Sequence, residues 1–147
     1  MPILEFHLTE DSYSDQQCEQ LLLEATQLYA DVLKSPLERI RVFIHLHKPS
    51  MMAVGGRLVS KGAPEAPYFH FLVLLGRPVE ERQRLLTGFT DLVVKILGAE
   101  RKLVRGGCWP IAPEDWAIGG TPASVLRAAE VKARAEQAQQ AQQVLAP

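Results

Sequence analysis

The residue pair with the clearest chemical potential is Met1-Pro2. A proline in second place is small enough for the methionine before it to be trimmed. The chain would then begin with a secondary amine on a rigid ring, able to act as a base, an acid or a nucleophile according to its pKa. An ordinary α-amino group titrates near ~7.7–8.0, and desolvation lowers that value. Other reactive side chains form weaker patterns. His45 and His47 share one face of a strand, but two histidines without further ligands do not define a metal site. His7 and His70 read as structural residues at matching places in two strands. Cys18 and Cys108 make neither a disulfide framework nor a metal spacing, and Cys108 reads as a small buried hydrophobe.

The elements that must position these groups follow from periodicity. Residues 2–9 read as a short apolar strand. Glu10 to Tyr13 form a turn, and Ser14 with Gln17 makes a capping box for a helix. Leu21, Leu22, Ala25, Leu28, Tyr29, Val32 and Leu33 recur on one face of that helix, and Ser35-Pro36 stops it. Residues 39–46 give a second strand, and Val54-Gly55-Gly56-Arg57 a turn in a short hairpin arm. After the linker 61–65 the order begins again. Residues 67–75 read as a strand, and Gly76-Arg77-Pro78 as a turn with Pro78 at the first helical position. Leu85, Leu86, Phe89, Leu92, Val93, Ile96 and Leu97 mark a second amphipathic helix closed by Gly98. Residues 103–109 read as a fourth strand, where Gly106-Gly107 suggests a bulge or a close approach.

The two halves superimpose in sequence. Pro2 to Arg41 is a step of 39 and Pro67 to Arg105 a step of 38, while Arg41 to Gly55 and Arg105 to Gly119 are both 14. Met52 and Trp116 each stand three residues before a Gly-Gly pair. The chain is therefore an internal duplication, with one β-α-β unit over residues 2–62, a second over 66–122 and a tail over 123–147. Right-handed crossovers make the strands of each unit parallel and put its helix on one face. The predicted fold class is α/β (α+β), a four-stranded sheet with both helices on one side. The other side, left uncovered, implies a partner. The tail favours helix at its start and is expected to fray into its Ala-Gln repeats.

Bulk properties narrow the function. A net charge of −1 creates no field for nucleic acid or an anionic membrane. The apolar runs are too short to span a bilayer, no signal-peptide pattern opens the chain, and the two cysteines suit a reducing cytoplasm.

The doubled pattern resembles the tautomerase superfamily, and within it the 4-oxalocrotonate tautomerase group. In the first half the resemblance rests on Pro2-Ile3, the acidic turn, Ser14-Asp15, Pro36-Leu37, Ile40-Arg41-Val42, Val54-Gly55-Gly56 and Ser60-Lys61. In the second it rests on Pro67, Leu75-Gly76-Arg77, Val104-Arg105 and Trp116 to Gly120. The resemblance implies a fused, double-length member with a tautomerase/MIF-like fold, assembled as a homotrimer whose sheets face inward. It implies Pro2 as the catalytic general base, with substrate carboxylates held by Arg77 and by Arg41 or Arg105. Met52 and Trp116 match the residue lining the site, and the methionine departs from the family's aromatic. Tyr13 replaces the first-half counterpart of Arg77, and Pro67 is acylated, so one active site per chain is expected. No metal or cofactor is implied.

The reaction implied first is tautomerisation of small 2-hydroxy-dienoate or enol-pyruvate carboxylates. An alternative is hydration, with Glu114 or Asp115 activating water, as in the superfamily's 3-haloacrylate dehalogenases and malonate semialdehyde decarboxylase. The dehalogenase pattern has two arginines where this chain has Arg77 alone. A third possibility is a ligand-binding relative without turnover.

Overall fold

A computed structural model describes residues 2–145; Met1, Ala146 and Pro147 lie outside the described residues. The order is β1 (Ile3–Thr9), α1 (Asp15–Leu33), β2 (Arg41–His47), the hairpin β3 (Ala53–Val54) and β4 (Arg57–Leu58), β5 (Tyr68–Leu74), α2 (Val79–Leu97), β6 (Arg105–Ile111), and the hairpin β7 (Ala117–Ile118) and β8 (Thr121–Pro122). Two further helices follow, α3 (Ala123–Leu126) and α4 (Ala128–Leu145).

The main sheet has the order β2-β1-β5-β6. Within each unit the strands are parallel, as the crossovers require, and the units meet through antiparallel β1 and β5. Both principal helices start and stop by local chemistry. The Ser14 side chain accepts from the Gln17 amide at 3.1 Å, and the Gln17 side chain accepts from the Ser14 amide at 2.9 Å. Gly98 closes α2 with φ of +70°.

Alternate residues of β1 and β5 point at α1 and α2. Leu4, Phe6, Leu8, Phe69 and Phe71 are fully buried there with Leu21, Ala25, Tyr29, Leu85, Phe89 and Val93. Phe89 of α2 is the hub, its ring edge-on to Tyr29 at 5.3 Å and Phe71 at 5.2 Å, the preferred arrangement of aromatic quadrupoles. The buried Tyr29 hydroxyl donates to the Leu72 carbonyl, so α1 is fastened to the second unit's strand.

Several sequence expectations are corrected. β2 begins at Arg41, because residues 37–39 form a 3-10 turn after Pro36. β6 begins at Arg105, because residues 101–103 form the equivalent turn. Pro78 caps α2 from outside, as its extended ψ of 147° shows. Gly106-Gly107 is no bulge, since β5 and β6 pair in unbroken register. A Cβ on Gly106 would stand 2.1 Å from Cζ of the buried Phe69, so close approach is the reason for that glycine. The tail remains helical to Leu145, with none of its α4 residues buried. Cys108 is only partly buried.

The uncovered sheet face is less apolar than the strand composition implied. It carries Phe43 and Trp109, and also Glu5, Tyr68 and all four histidines. Counted from Pro2 and Pro67, the counterpart of His70 is Glu5 and that of His7 is Leu72, so His7 and His70 do not match. His7 Nδ1 lies 2.7 Å from His47 Nε2, and Glu5 bridges His45 at 2.8 Å and His70 at 2.6 Å. The His7 ring stacks on those of His45 and His47. Burial lowers the His7 pKa, and the neighbouring His45, His47 and His70 push the same way. The His45 hydrogen bond leads in lowering that of Glu5.

Two outcomes follow from this packing. Gly106→Ala forces the Phe69 ring out of place and costs about 1–3 kcal/mol by urea unfolding. Gly107→Ala meets only the half-exposed Trp109 ring and costs less than Gly106→Ala; equal costs would contradict the packing account. The second outcome concerns acid. His7 is held below its unfolded value, so the unfolded chain binds more protons as pH falls through ~6.5, and stability is lost in that direction. Glu5, also lowered, adds a loss as pH falls below its unfolded value of 4.5. Unfolding midpoints should fall between about pH 7 and pH 5, and His7→Phe should flatten the slope; an unchanged slope would show that His7 does not carry it.

Candidate active site

The antiparallel junction decides which residues meet Pro2. Ile3 pairs with Leu72, so the start of β1 lies against the end of β5 and the turn after it. Ile3 also pairs with Arg41, and the Arg41 amide donates to the Pro2 carbonyl at 3.0 Å. Pro2 is buried. It lines a cavity of about 20 Å³, room for about one water, with Leu33, Val73 and Leu74 as apolar wall. Ser35, Arg39, Arg77, Glu130 and Arg134 form the polar wall.

Arg77 is therefore brought to Pro2 by the β5–α2 turn. Its Nη1 donates to the Leu33 carbonyl at 3.1 Å, near the end of α1, and to Glu81 Oε1 at 3.3 Å one turn along α2. These partners fix the guanidinium, which is only 14% exposed. A larger cavity of about 520 Å³ adjoins through Arg39 and is lined also by Ile3, Arg41, Trp116, Ile118 and Arg127. Arg41 there donates to the Glu38 carbonyl at 2.8 Å. Trp116 is half-buried and held by its carbonyl, which accepts from the Ala123 amide at 2.7 Å.

Arg105 and Met52 are not at this end of the chain. Arg105 pairs with Tyr68, which pairs in turn with His7 near the end of β1. Its guanidinium donates to the Lys102 carbonyl at 2.7 Å. The Met52 sulfur accepts from the Thr9 hydroxyl at 3.4 Å, also at the end of β1. Pro67 occupies this second end, with its carbonyl accepting from the Arg105 amide at 3.1 Å, as Pro2 does from Arg41. Tyr13 takes the Arg77 position and donates to Glu65 at 3.0 Å. Burial and that carboxylate push its phenol pKa well up, so it stays neutral. Glu114 and Asp115 are exposed and line neither cavity at the Pro2 end.

Sequence reasoning missed Arg39, Arg127, Glu130 and Arg134. The signal was present: positions 127, 130 and 134 are spaced i, i+3, i+7, which is one face of a helix. The Ala-Gln composition around them obscured it. No described helix is long and apolar enough to cross a membrane, and no group of three or more His, Cys, Asp or Glu among the described residues is arranged to hold a metal.

A sheet of tandem β-α-β units with a proline at the start of its first strand defines a class, and comparison with known proteins agrees. Residues 2–62 match the family described as Tautomerase, tautomerase enzyme. The structure of native fused 4-OT is 26% identical with a TM-score of 0.79, covering 84% of this chain and 98% of its own. W0 fused 4-OT, a wild-type symmetric trimer, is 27% identical with a TM-score of 0.74, covering 83% and 98%. N1, a member of the cis-3-chloroacrylic acid dehalogenase family, is 18% identical with a TM-score of 0.71, covering 85% and 88%, a likeness of fold. Comparison with curated protein sequences finds no match. The first unit thus matches the Tautomerase family, and the whole chain shares the fold of the fused 4-OT structures.

Arg77 also carries a structural load. Arg77→Ala leaves the Leu33 carbonyl and the Glu81 carboxylate without a buried donor, a cost of about 1–3 kcal/mol. Arg77→Ala with Glu81→Gln should recover part of it in urea unfolding; additive losses would show that the pair is not coupled.

Proposed function

We propose that this chain is a cofactor-independent tautomerase in which Pro2, freed of Met1, interconverts enol and keto forms of small 2-hydroxy-dienoate or enol-pyruvate carboxylates. The observation that carries this reading is the burial of Pro2 in a cavity walled by Leu33, Val73 and Leu74 on one side and Arg77 on the other. Such a wall disfavours the cationic amine, and the neighbouring guanidinium groups act in the same direction. The amine is then free to take the enol proton near neutral pH and return it to carbon. Arg77 and Arg41 hold carboxylate oxygens by charge-assisted hydrogen bonds, and Trp116 forms the apolar wall of the adjoining cavity. A donor beside the substrate's 2-oxygen is worth about 2.7–4 kcal/mol in comparable sites.

The assembly proposed is a homotrimer, as in the structures described as fused 4-OT trimers. The uncovered sheet face, with Phe43 and Trp109, supplies the surface to bury. In that assembly Arg105 and Met52, at the far end of β1, are available to a neighbouring subunit's site. The chain's two free cysteines suit a cytoplasmic protein. The hydratase, dehalogenase or decarboxylase reading is less well supported, since Glu114 and Asp115 do not line the Pro2 cavity.

Intact mass should show a chain lacking Met1; retained methionine acylates Pro2 and excludes it as a base. Pro2→Ala should slow ketonisation of 2-hydroxymuconate or phenylenolpyruvate by at least ~10²-fold, the usual weight of a general base. Equal rates would refute the assignment. A pH–rate profile limited by a base of low pKa separates this reaction from hydration of 3-chloroacrylate by a cationic proline.

A further inference from the structure

The histidines of the uncovered sheet face form two pairs with different chemistry. His7 Nδ1 meets His47 Nε2 at 2.7 Å. A neutral imidazole has one donor and one acceptor nitrogen, whereas an imidazolium has two donors. The contact therefore holds only while at least one of the two rings is neutral. His45 and His70 instead share Glu5, at 2.8 Å and 2.6 Å. A carboxylate accepts from a neutral ring or a cationic one, so protonation leaves those bonds in place.

The His7–His47 pair has no such anion. Among the described residues of the four strands, Glu5 is the only carboxylate, and its two oxygens are taken by His45 and His70. The titratable side chains that face His7 are His45 and His47 from β2, Tyr68 and His70 from β5, and Glu5 from β1 itself. The rings of His45 and His47 stack on that of His7 at 4.7 Å and 5.0 Å, so a charge on one ring acts on its neighbours. Arg41 and Arg105 begin the two edge strands in register with Ile3 and Tyr68, which adds positive charge to the same face. Phe43 and Trp109 stand half-exposed on those two edges. A closed ring of three copies joins unlike patches, and two different edges supply them.

Resting on the homotrimer proposed above, we infer that the uncovered face is the contact between copies of this chain and that the His7–His47 pair makes this contact dissociate in mild acid. In a single copy, a protonated pair is open to water. Between copies water is excluded, and the opposing copy brings the same face, whose one carboxylate is already bound. The charge is then buried without a counter-ion, which is costly. The pair is thus held neutral in the assembly and protonates more readily in the free copy. Dissociation takes up protons, so association weakens as pH falls through histidine's ordinary value of ~6.5.

The test uses the full-length protein at about pH 7.5 and about pH 5.5, either side of that value. Light scattering gives the mass and circular dichroism the fold. Wild type should be a trimer at the higher pH and need about tenfold more protein or more to remain one at the lower, with its dichroism unchanged; one proton taken up is worth a factor of ten per pH unit. His7→Asn with His47→Gln keeps amide donors and acceptors near the ring nitrogens and removes both charges, so it should stay a trimer at both values. Should that double variant fail to fold, either single variant should cut the shift about threefold or more. His45→Gln with His70→Gln should dissociate as wild type does. A wild type that is monomeric at the higher pH overturns the homotrimer and this inference with it. A trimer that persists at the lower pH, or loses its dichroism together with its mass, overturns the inference and leaves the homotrimer. So does a His7/His47 variant that dissociates like wild type, or a His45/His70 variant that does not dissociate. A different oligomer that comes apart in the expected pattern keeps the histidine pair and loses the trimer.

Discussion

The antiparallel pairing of β1 with β5 is the constraint on which the rest depends. Two β-α-β units could meet in other ways, but pairing Ile3 with Leu72 sets the start of one unit against the end of the other. The helices then lie together on one face, where Phe89 packs against aromatic rings from both units. The Tyr29 hydroxyl, bonded to Leu72, fastens this junction from the helix layer. Each end of the molecule is thereby built from the first strand of one unit and the strand-to-helix turn of the other.

That geometry separates two ends that began as copies. At one, Pro2 meets Arg77 and Arg41, with Trp116 in the adjoining cavity. At the other, Pro67 meets Arg105, Met52 and a neutral Tyr13 bound to Glu65. The chemical difference is small in sequence and large in consequence. A half-buried, neutral phenol bound to Glu65 lacks the charge that Arg77 carries at the other end. Duplication supplied the scaffold twice, and the two ends now present different side chains to their prolines.

The two faces of the sheet divide the labour differently. The helix face is dry and aromatic, so packing energy accumulates there. The open face carries Glu5 and histidines in mutual contact, which makes it polar enough for water and flat enough for another surface. The C-terminal helix adds a third arrangement. It buries nothing of its own, yet it lays Glu130 and Arg134 over the proline, held by electrostatics where hydrophobic burial is absent.

Periodicity alone marked the strands, the principal helices and the duplication, because alternation and the 3.6-residue spacing are local properties of the chain. The Ser14–Gln17 box and Gly98 were equally legible, since caps act over a few residues. The reach of Pro2 to Arg77 followed from the repeat and the family resemblance. The strand limits at Arg41 and Arg105 were less legible, as each follows a short 3-10 turn that leaves no distinct pattern. Gly106 read as bulge or close approach, and only the Phe69 ring above it chose between them. Met52 and Arg105 had site-like spacing, yet the antiparallel junction carries them to the far end of β1. The tail read as helical at its start and fraying into its Ala-Gln repeats, and its Arg127-Glu130-Arg134 face had no stated partner. The sequence by itself determined the elements, the repeat and the reactive types, because these are set by neighbours along the chain. Tertiary structure decided which copy's residues meet Pro2 and that the tail covers it, because those contacts join residues dozens of positions apart through one sheet register.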